Sequence, residues 1–95
     1  MGAIGEPGAA QNTVVAGQRV RLVAAAADEN GIEYVEFYRL DGGAAVLLGS
    51  DPTPPYEWDA VAPDDGRALL RVFARATDRA GNWADSNTVS VSIMP

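Results

Sequence analysis

Apolar side chains recur at every second position through most of this chain. Val20, Leu22 and Ala24 form one such run, and Val35 and Phe37, Tyr56 and Trp58, then Val89, Val91 and Ile93 form others. The longest is Leu70-Val72-Ala74-Ala76, interleaved with Arg71, Phe73, Arg75 and Thr77. A period of two places one side of an extended segment inside and the other in water. No segment combines apolar residues at helical spacing with helix caps, so the alternating runs read as β-strands. The alanines at 24–27 would tolerate a helix, but Val20–Val23 before them and the turn Asp28-Glu29-Asn30-Gly31 after them favour a strand.

The runs are separated by turn chemistry. Asp41-Gly42-Gly43 is a hairpin signal, followed by a short return strand at Ala45–Leu48. Asp51-Pro52-Thr53-Pro54-Pro55 cannot donate a regular ladder and reads as a loop, and Pro63-Asp64-Asp65-Gly66 reads as a turn. In Ala74-Arg75-Ala76-Thr77-Asp78-Arg79-Ala80-Gly81-Asn82 a strand runs straight into a turn. There the Asp78 carboxylate can accept backbone N–H groups two or three residues on, and Gly81 can take positive φ. Six or seven short strands at about 8–12-residue spacing predict an all-β fold, an antiparallel β-sandwich of about seven strands in two sheets. Residues 1–12, with three glycines, one proline and no period, read as a flexible linker. The domain proper is then 13–95, opening on a short edge strand at Thr13–Val15.

Composition narrows the chemistry. A chain of 95 residues builds one core. It has no cysteine and no histidine, which removes disulfides, thiolate and imidazole metal sites, and Ser-His-Asp or Cys-His catalysis. Every basic residue is arginine, so no lysine is present to form a Schiff base or fill a phosphate loop. A net charge of −6 opposes nucleic-acid binding. No apolar run reaches the roughly 20 residues that span a bilayer, so membrane insertion is not expected. Asp64 and Asp65 lie side by side in a turn rather than across a cleft, so they serve turn formation and not acid–base catalysis. No catalytic residue and no obligatory cofactor is assigned.

Five pieces fall in the order found in bacterial immunoglobulin-like domains: Val35-Glu36-Phe37-Tyr38, Asp41-Gly42, Leu48-Gly49-Ser50-Asp51, Pro54-Pro55-Tyr56 and Ala74–Asn82. Val20-Arg21-Leu22 with Asp28–Gly31 resembles the second strand and following turn of that family, and the likeness covers about residues 13 to 94. The hairpin Leu40–Leu48 is longer than usual. The resemblance implies a fibronectin type III-like, immunoglobulin-like sandwich. It also implies a non-catalytic spacer or interaction module, cut from a larger bacterial protein that is exported to the cell surface or the extracellular space. Neighbouring domains of the same polypeptide would be its partners, with carbohydrate or a surface protein as further partners, and the module would be a monomer.

Two surfaces invite binding. The turns Asp28–Gly31 and Asp78–Asp85 share one end of such a sandwich, with Asp51 nearby, gathering hard oxygen donors of the kind calcium takes. Asp28, Asn30, Asp78 and Asn82 are the candidate ligands, with Glu29 and Asp85 beside them, against the alternative that Asp28 and Asp78 cap their own turns. On the outer sheet face, Tyr34, Tyr38 and Phe73 share space with Glu36, Arg71 and Arg75, an arrangement suited to stacking on a sugar or docking a neighbouring domain. Trp83, in the loop after the turn, is either a recognition anchor or a lid over the open end of the sandwich, and the lid is the favoured expectation. Trp58 is expected in the core. The alternatives to a spacer are thus a carbohydrate-binding module on the aromatic face and a calcium-stabilised adhesion domain.

Overall fold

The computed structural model describes the backbone of residues 8–9 and the whole of residues 13–95. Its strands are β1 (Gly8–Ala9), β2 (Thr13–Val15), β3 (Arg19–Ala24), β4 (Ile32–Asp41), β5 (Ala44–Asp51), β6 (Tyr56–Val61), β7 (Leu69–Asp78), β8 (Trp83–Asp85) and β9 (Val89–Met94). They form two sheets, one ordered β1-β3-β6 and the other β2-β9-β7-β4-β5, with β8 also paired to β7. All pairings are antiparallel except β2 with β9. β1 and β2 divide the first strand between the two sheets. β8 and β9 divide the last one along β7, opposite Arg75–Thr77 and Leu69–Val72 respectively. Ser86 sits at that break, its Oγ accepting the Ala74 N–H at 2.9 Å while its own N–H donates to the Ala74 carbonyl at 2.8 Å. Counted this way, about seven strands fill two sheets, as the alternation predicts.

The inward faces match the sequence pattern. Val20, Leu22, Ala24, Val35, Phe37, Leu70, Val72, Ala74, Ala76, Val91 and Ile93 are all buried in one core cluster. Size is complementary across the ladder: Phe37 lies opposite Ala74 and Val35 opposite Ala76. Large side chains facing small ones leave room for the second sheet's Leu22 and Val20, both fully buried, to close over them.

Three expectations change. Part of the stretch read as linker is ladder, since Gly8 pairs with Val23 and Ala9 with Leu22. Two residues carry no visible period, so the strand left no signal. The return strand runs over Ala44–Asp51 rather than Ala45–Leu48, so Asp51 ends a strand instead of opening a loop. The turn between β4 and β5 is tight, the two residues Gly42-Gly43 with Gly42 at φ 63°. A register shift explains the misreading. Phe37 pairs with Gly49 but Tyr38 pairs with Leu47, leaving Leu48 as an extra residue that breaks the period of two.

Trp58, expected in the core, is only partly buried and packs against the core cluster from its edge. It faces inward from β6 and bridges to β5 at the seam where the two sheets meet. A Cβ on Gly49 would collide with the six-membered ring of Trp58. Glycine at 49 is therefore the space in which the indole lies.

At the far end of the β4–β5 hairpin, Arg67 ties its own turn to the hairpin tip. Its Nε and Nη2 bind the Asp65 carboxylate at 2.9 and 2.7 Å, and Nη1 reaches Asp41 at the hairpin tip. The Arg67 hydrogen bonds hold the carboxyls of both Asp41 and Asp65 below the usual carboxylate range.

Gly49→Ala should destabilise the domain by about 1–3 kcal/mol, the usual cost of overpacking. It should also expose the Trp58 indole, read as a chemical-denaturation midpoint and red-shifted tryptophan emission in a Trp83→Phe background. Because Asp41 and Asp65 bind protons less readily folded than unfolded, their contribution is present above the ordinary carboxylate range and lost as pH falls through it. Thermal melts of Arg67→Ala and the parent chain should accordingly differ at neutral pH and converge in strong acid. A constant difference across pH would contradict the clamp.

Candidate functional site

The two turns do meet, as their strands require. Ile32 pairs with Asp78, the Arg79 N–H donates to the Gly31 carbonyl at 3.1 Å, and the Arg79 side chain lies over Gly31. Gly31 and Gly81 take φ of 82° and 88°, left-handed conformations that favour glycine at both corners. Asp51 ends β5 at the same end of the sheet, opposite Val35.

The carboxylates there are engaged with their own backbone. Asp78 is fully buried; its Oδ1 accepts the N–H groups of Ala80 and Asn82, each at 2.9 Å, and its Oδ2 accepts the Asn82 side-chain amide at 3.4 Å. Asp28 accepts the Asn30 N–H at 2.8 Å. Asp51 accepts from Thr53 at 3.1 Å and from Glu57 at 3.0 Å, so it fixes the proline loop and the start of β6 together. Of the predicted calcium set, Asp28, Asn30, Asp78 and Asn82 are thus brought to one end as two self-capped turns. Asp85 is not with them, because it sits on β8 opposite Arg75. Among the described residues no group of three or more acidic side chains is placed to share a metal ion.

The outer face of the larger sheet is more distinctive. Tyr38 and Phe73 are directly opposed on β4 and β7, and their rings stack with centroids 5.1 Å apart and planes 8° from parallel. Phe73 is thereby buried, contrary to its expected place on an open face. The Arg75 guanidinium lies 5.3 Å from the Tyr38 ring centre and 4.2 Å from that of Trp83. Asp85 holds it in a fork, Nε at 2.7 Å and Nη2 at 3.1 Å. Phe73, Tyr38, Arg75 and Trp83 make one continuous stack across the sheet. Burial pushes the Tyr38 phenol up, with Glu36 adding to the rise and Arg75 opposing it. The hydrogen bonds that Arg75 donates to Asp85 keep its guanidinium more firmly protonated than a free one.

Trp83 is therefore not a lid. It belongs to strand β8, pairs with Thr77, and is 57% exposed over the guanidinium. An exposed cation–π contact of this kind contributes about 0.5–1 kcal/mol and, more usefully, fixes the ring's orientation. Tyr34 lies on the same face, also opposite Thr77, and is partly buried. The sequence reading missed the link between Arg75, Trp83 and Asp85. Their signal was there: a strand after a tight turn must fold back along β7, which brings positions 83 and 85 opposite 77 and 75.

Asp78→Ala should cost about 2–3 kcal/mol in denaturant unfolding, since it empties a fully buried position and leaves the turn N–H groups of Ala80 and Asn82 without their carboxylate acceptor. Asp28→Ala, at an exposed turn, should cost less than half as much. Equal effects would contradict the assignment of Asp78 as the buried cap.

A family model for the bacterial Ig domain matches residues 7–92. Among solved structures, the fibronectin(III)-like modules of CbhA from Clostridium thermocellum share the fold. Their TM-score is 0.77 at 22% sequence identity, over 96% of this chain and 94% of that one. No curated protein matches the chain. The order of strands, the self-capped turn after β7 and the extent of the family match together place this chain in the bacterial Ig domain family.

Proposed function

We propose that this domain is a non-catalytic accessory module that sets the spacing of its neighbours in a larger exported bacterial protein. One observation carries the reading: the first described strand begins, and the last strand finishes, at opposite ends of the sandwich. β1 begins opposite Val23, near the end of β3 that leads to the Asp28 turn. β9 finishes opposite Val15, where the Ala16 N–H binds the Met94 carbonyl, beside the start of β3. A body 43 Å long and 17 Å thin, threaded this way, transmits position from one neighbour to the next. The net charge of −6 suits solubility outside the cell, and the lack of histidine, cysteine and lysine supports a role without catalysis.

The Arg75–Trp83 stack favours a second reading, carbohydrate binding on the outer face. An indole with the Arg75 guanidinium 4.2 Å from its ring centre offers an exposed, anchored ring to a sugar. One experiment separates the two. Fluorescent reporters fused to both ends should keep a single separation that is unchanged by insoluble polysaccharides or millimolar calcium, and the protein should not be retained on the polysaccharide. A separation as broad as that of a flexible linker would overturn the spacer. Retention abolished by Trp83→Ala would instead establish the binding module.

A further inference from the structure

We propose that the outer face of the larger sheet binds an extended, uncharged, β-linked polysaccharide, laid across β4, β7 and β8 over Tyr34, Thr77 and Trp83. This rests on the carbohydrate reading above and goes further, to the class of glycan and the side chains that select it. Three rings frame a polar centre on this face. Tyr34 and Trp83 both stand opposite Thr77, one from β4 and the other from β8 on the far side of β7. Tyr38 follows Tyr34 on the same face of β4, and Glu36, between them, stands directly opposite Arg75.

The principal ring is anchored by the fold itself. Arg75 donates to Asp85 at 2.7 and 3.1 Å, and its guanidinium lies 4.2 Å from the Trp83 ring centre and 5.3 Å from that of Tyr38. Trp83 is thus held while 57% exposed, so binding costs little further ordering of its side chain. Tyr34 and Trp83 are two strand spacings apart, about 9–10 Å, the reach of a disaccharide unit in an extended chain. The row is also open at both ends. At this level β4 and β8 are the outermost strands, because β5 ends with Asp51 opposite Val35 and β9 pairs only with Leu69–Val72. A polymer lying on the row can continue past either edge.

Charge selects an uncharged ligand. Asp85 neutralises Arg75 and Glu36 faces it, so the site offers no net positive charge, and the chain as a whole, at −6, repels an anionic glycan. A cationic ligand fares no better, since the guanidinium already holds the place that a cation would take against Trp83 and Tyr38. What the centre supplies is donors and acceptors together: the Arg75 guanidinium, the Glu36 carboxylate and the Thr77 hydroxyl, the complement of neighbouring sugar hydroxyls. The rings supply stacking surface for the apolar faces of the sugar. A β-linked chain is a flat ribbon whose successive units present such faces, and it suits a row of rings on an open sheet. A protein partner would find less apolar surface here, because Phe73 is buried against Tyr38.

Affinity electrophoresis should retard the wild-type chain in gels containing hydroxyethyl cellulose or galactomannan. Gels containing carboxymethyl cellulose, which adds negative charge to the same backbone as the first polymer, should not retard it. In calorimetry, cellohexaose should bind at least tenfold more tightly than cellobiose. Tyr34→Ala and Glu36→Gln should each weaken binding by about tenfold or more; the second keeps the side chain's size and decides the matter if the first lowers the melting temperature. Binding that is lost in Trp83→Ala but unchanged in Glu36→Gln would leave a carbohydrate-binding face and overturn this site. Equal affinity for cellobiose and cellohexaose, or a preference for carboxymethyl cellulose, would do the same. No retardation by either uncharged polymer would also overturn it, whereas the broader carbohydrate reading falls only if insoluble polysaccharides fail to retain the chain as well.

Discussion

The pairing of β4 with β7 is the constraint on which the rest of this structure depends. Phe37 against Ala74 and Val35 against Ala76 form the floor of the core. One residue along, Tyr38 against Phe73 begins the stack on the opposite face. The same two strands therefore organise both surfaces of the sheet. β7 also carries β8 and β9, and it ends in Asp78, the one buried charge among the described residues. Removing Phe37 would open a void in the core and, through β4, loosen the ladder that aligns Tyr38, Arg75 and Trp83. Stability and surface chemistry share one element.

The sandwich was legible because burial and period two coincide at nearly every inward position. Leu70, Val72, Ala74 and Ala76 alternate without interruption, and all four are buried. The readings that failed did so where a local event broke that coincidence. Leu48 is an extra residue opposite Phe37, so the pattern of β5 slips and the strand looks shorter than it is. Phe73 stands at an outward position yet is buried, because Tyr38 covers it, and alternation carries no information about a stacked neighbour. Trp58 faces inward but stays half-covered, because Gly49 opens a groove at the seam for its ring. The lid expected of Trp83 failed because its exposure depends on the pairing of β8 with β7.

The candidate sites divide along the same line. The acidic turns could be placed together from topology, and they do meet, but the carboxylates there are used by the fold itself. Asp78 satisfies two backbone donors and a side-chain amide, which is what a tight turn closing a buried strand requires. By contrast, the outer stack holds a group that the fold does not consume. The Trp83 ring remains available for contact. In an immunoglobulin-like module of this kind one end is locked by its own hydrogen bonds, while the outer stack stays exposed.

Native-state hydrogen exchange tests the central place of β4 and β7 most directly. The Phe37, Val72 and Ala74 amides should exchange only through global unfolding, with protection equal to the stability measured by denaturant, while β1 and β8 open at lower free energy. Exchange of the Phe37 and Ala74 amides through a lower-energy local opening, with β3 and β6 still protected, would contradict the account.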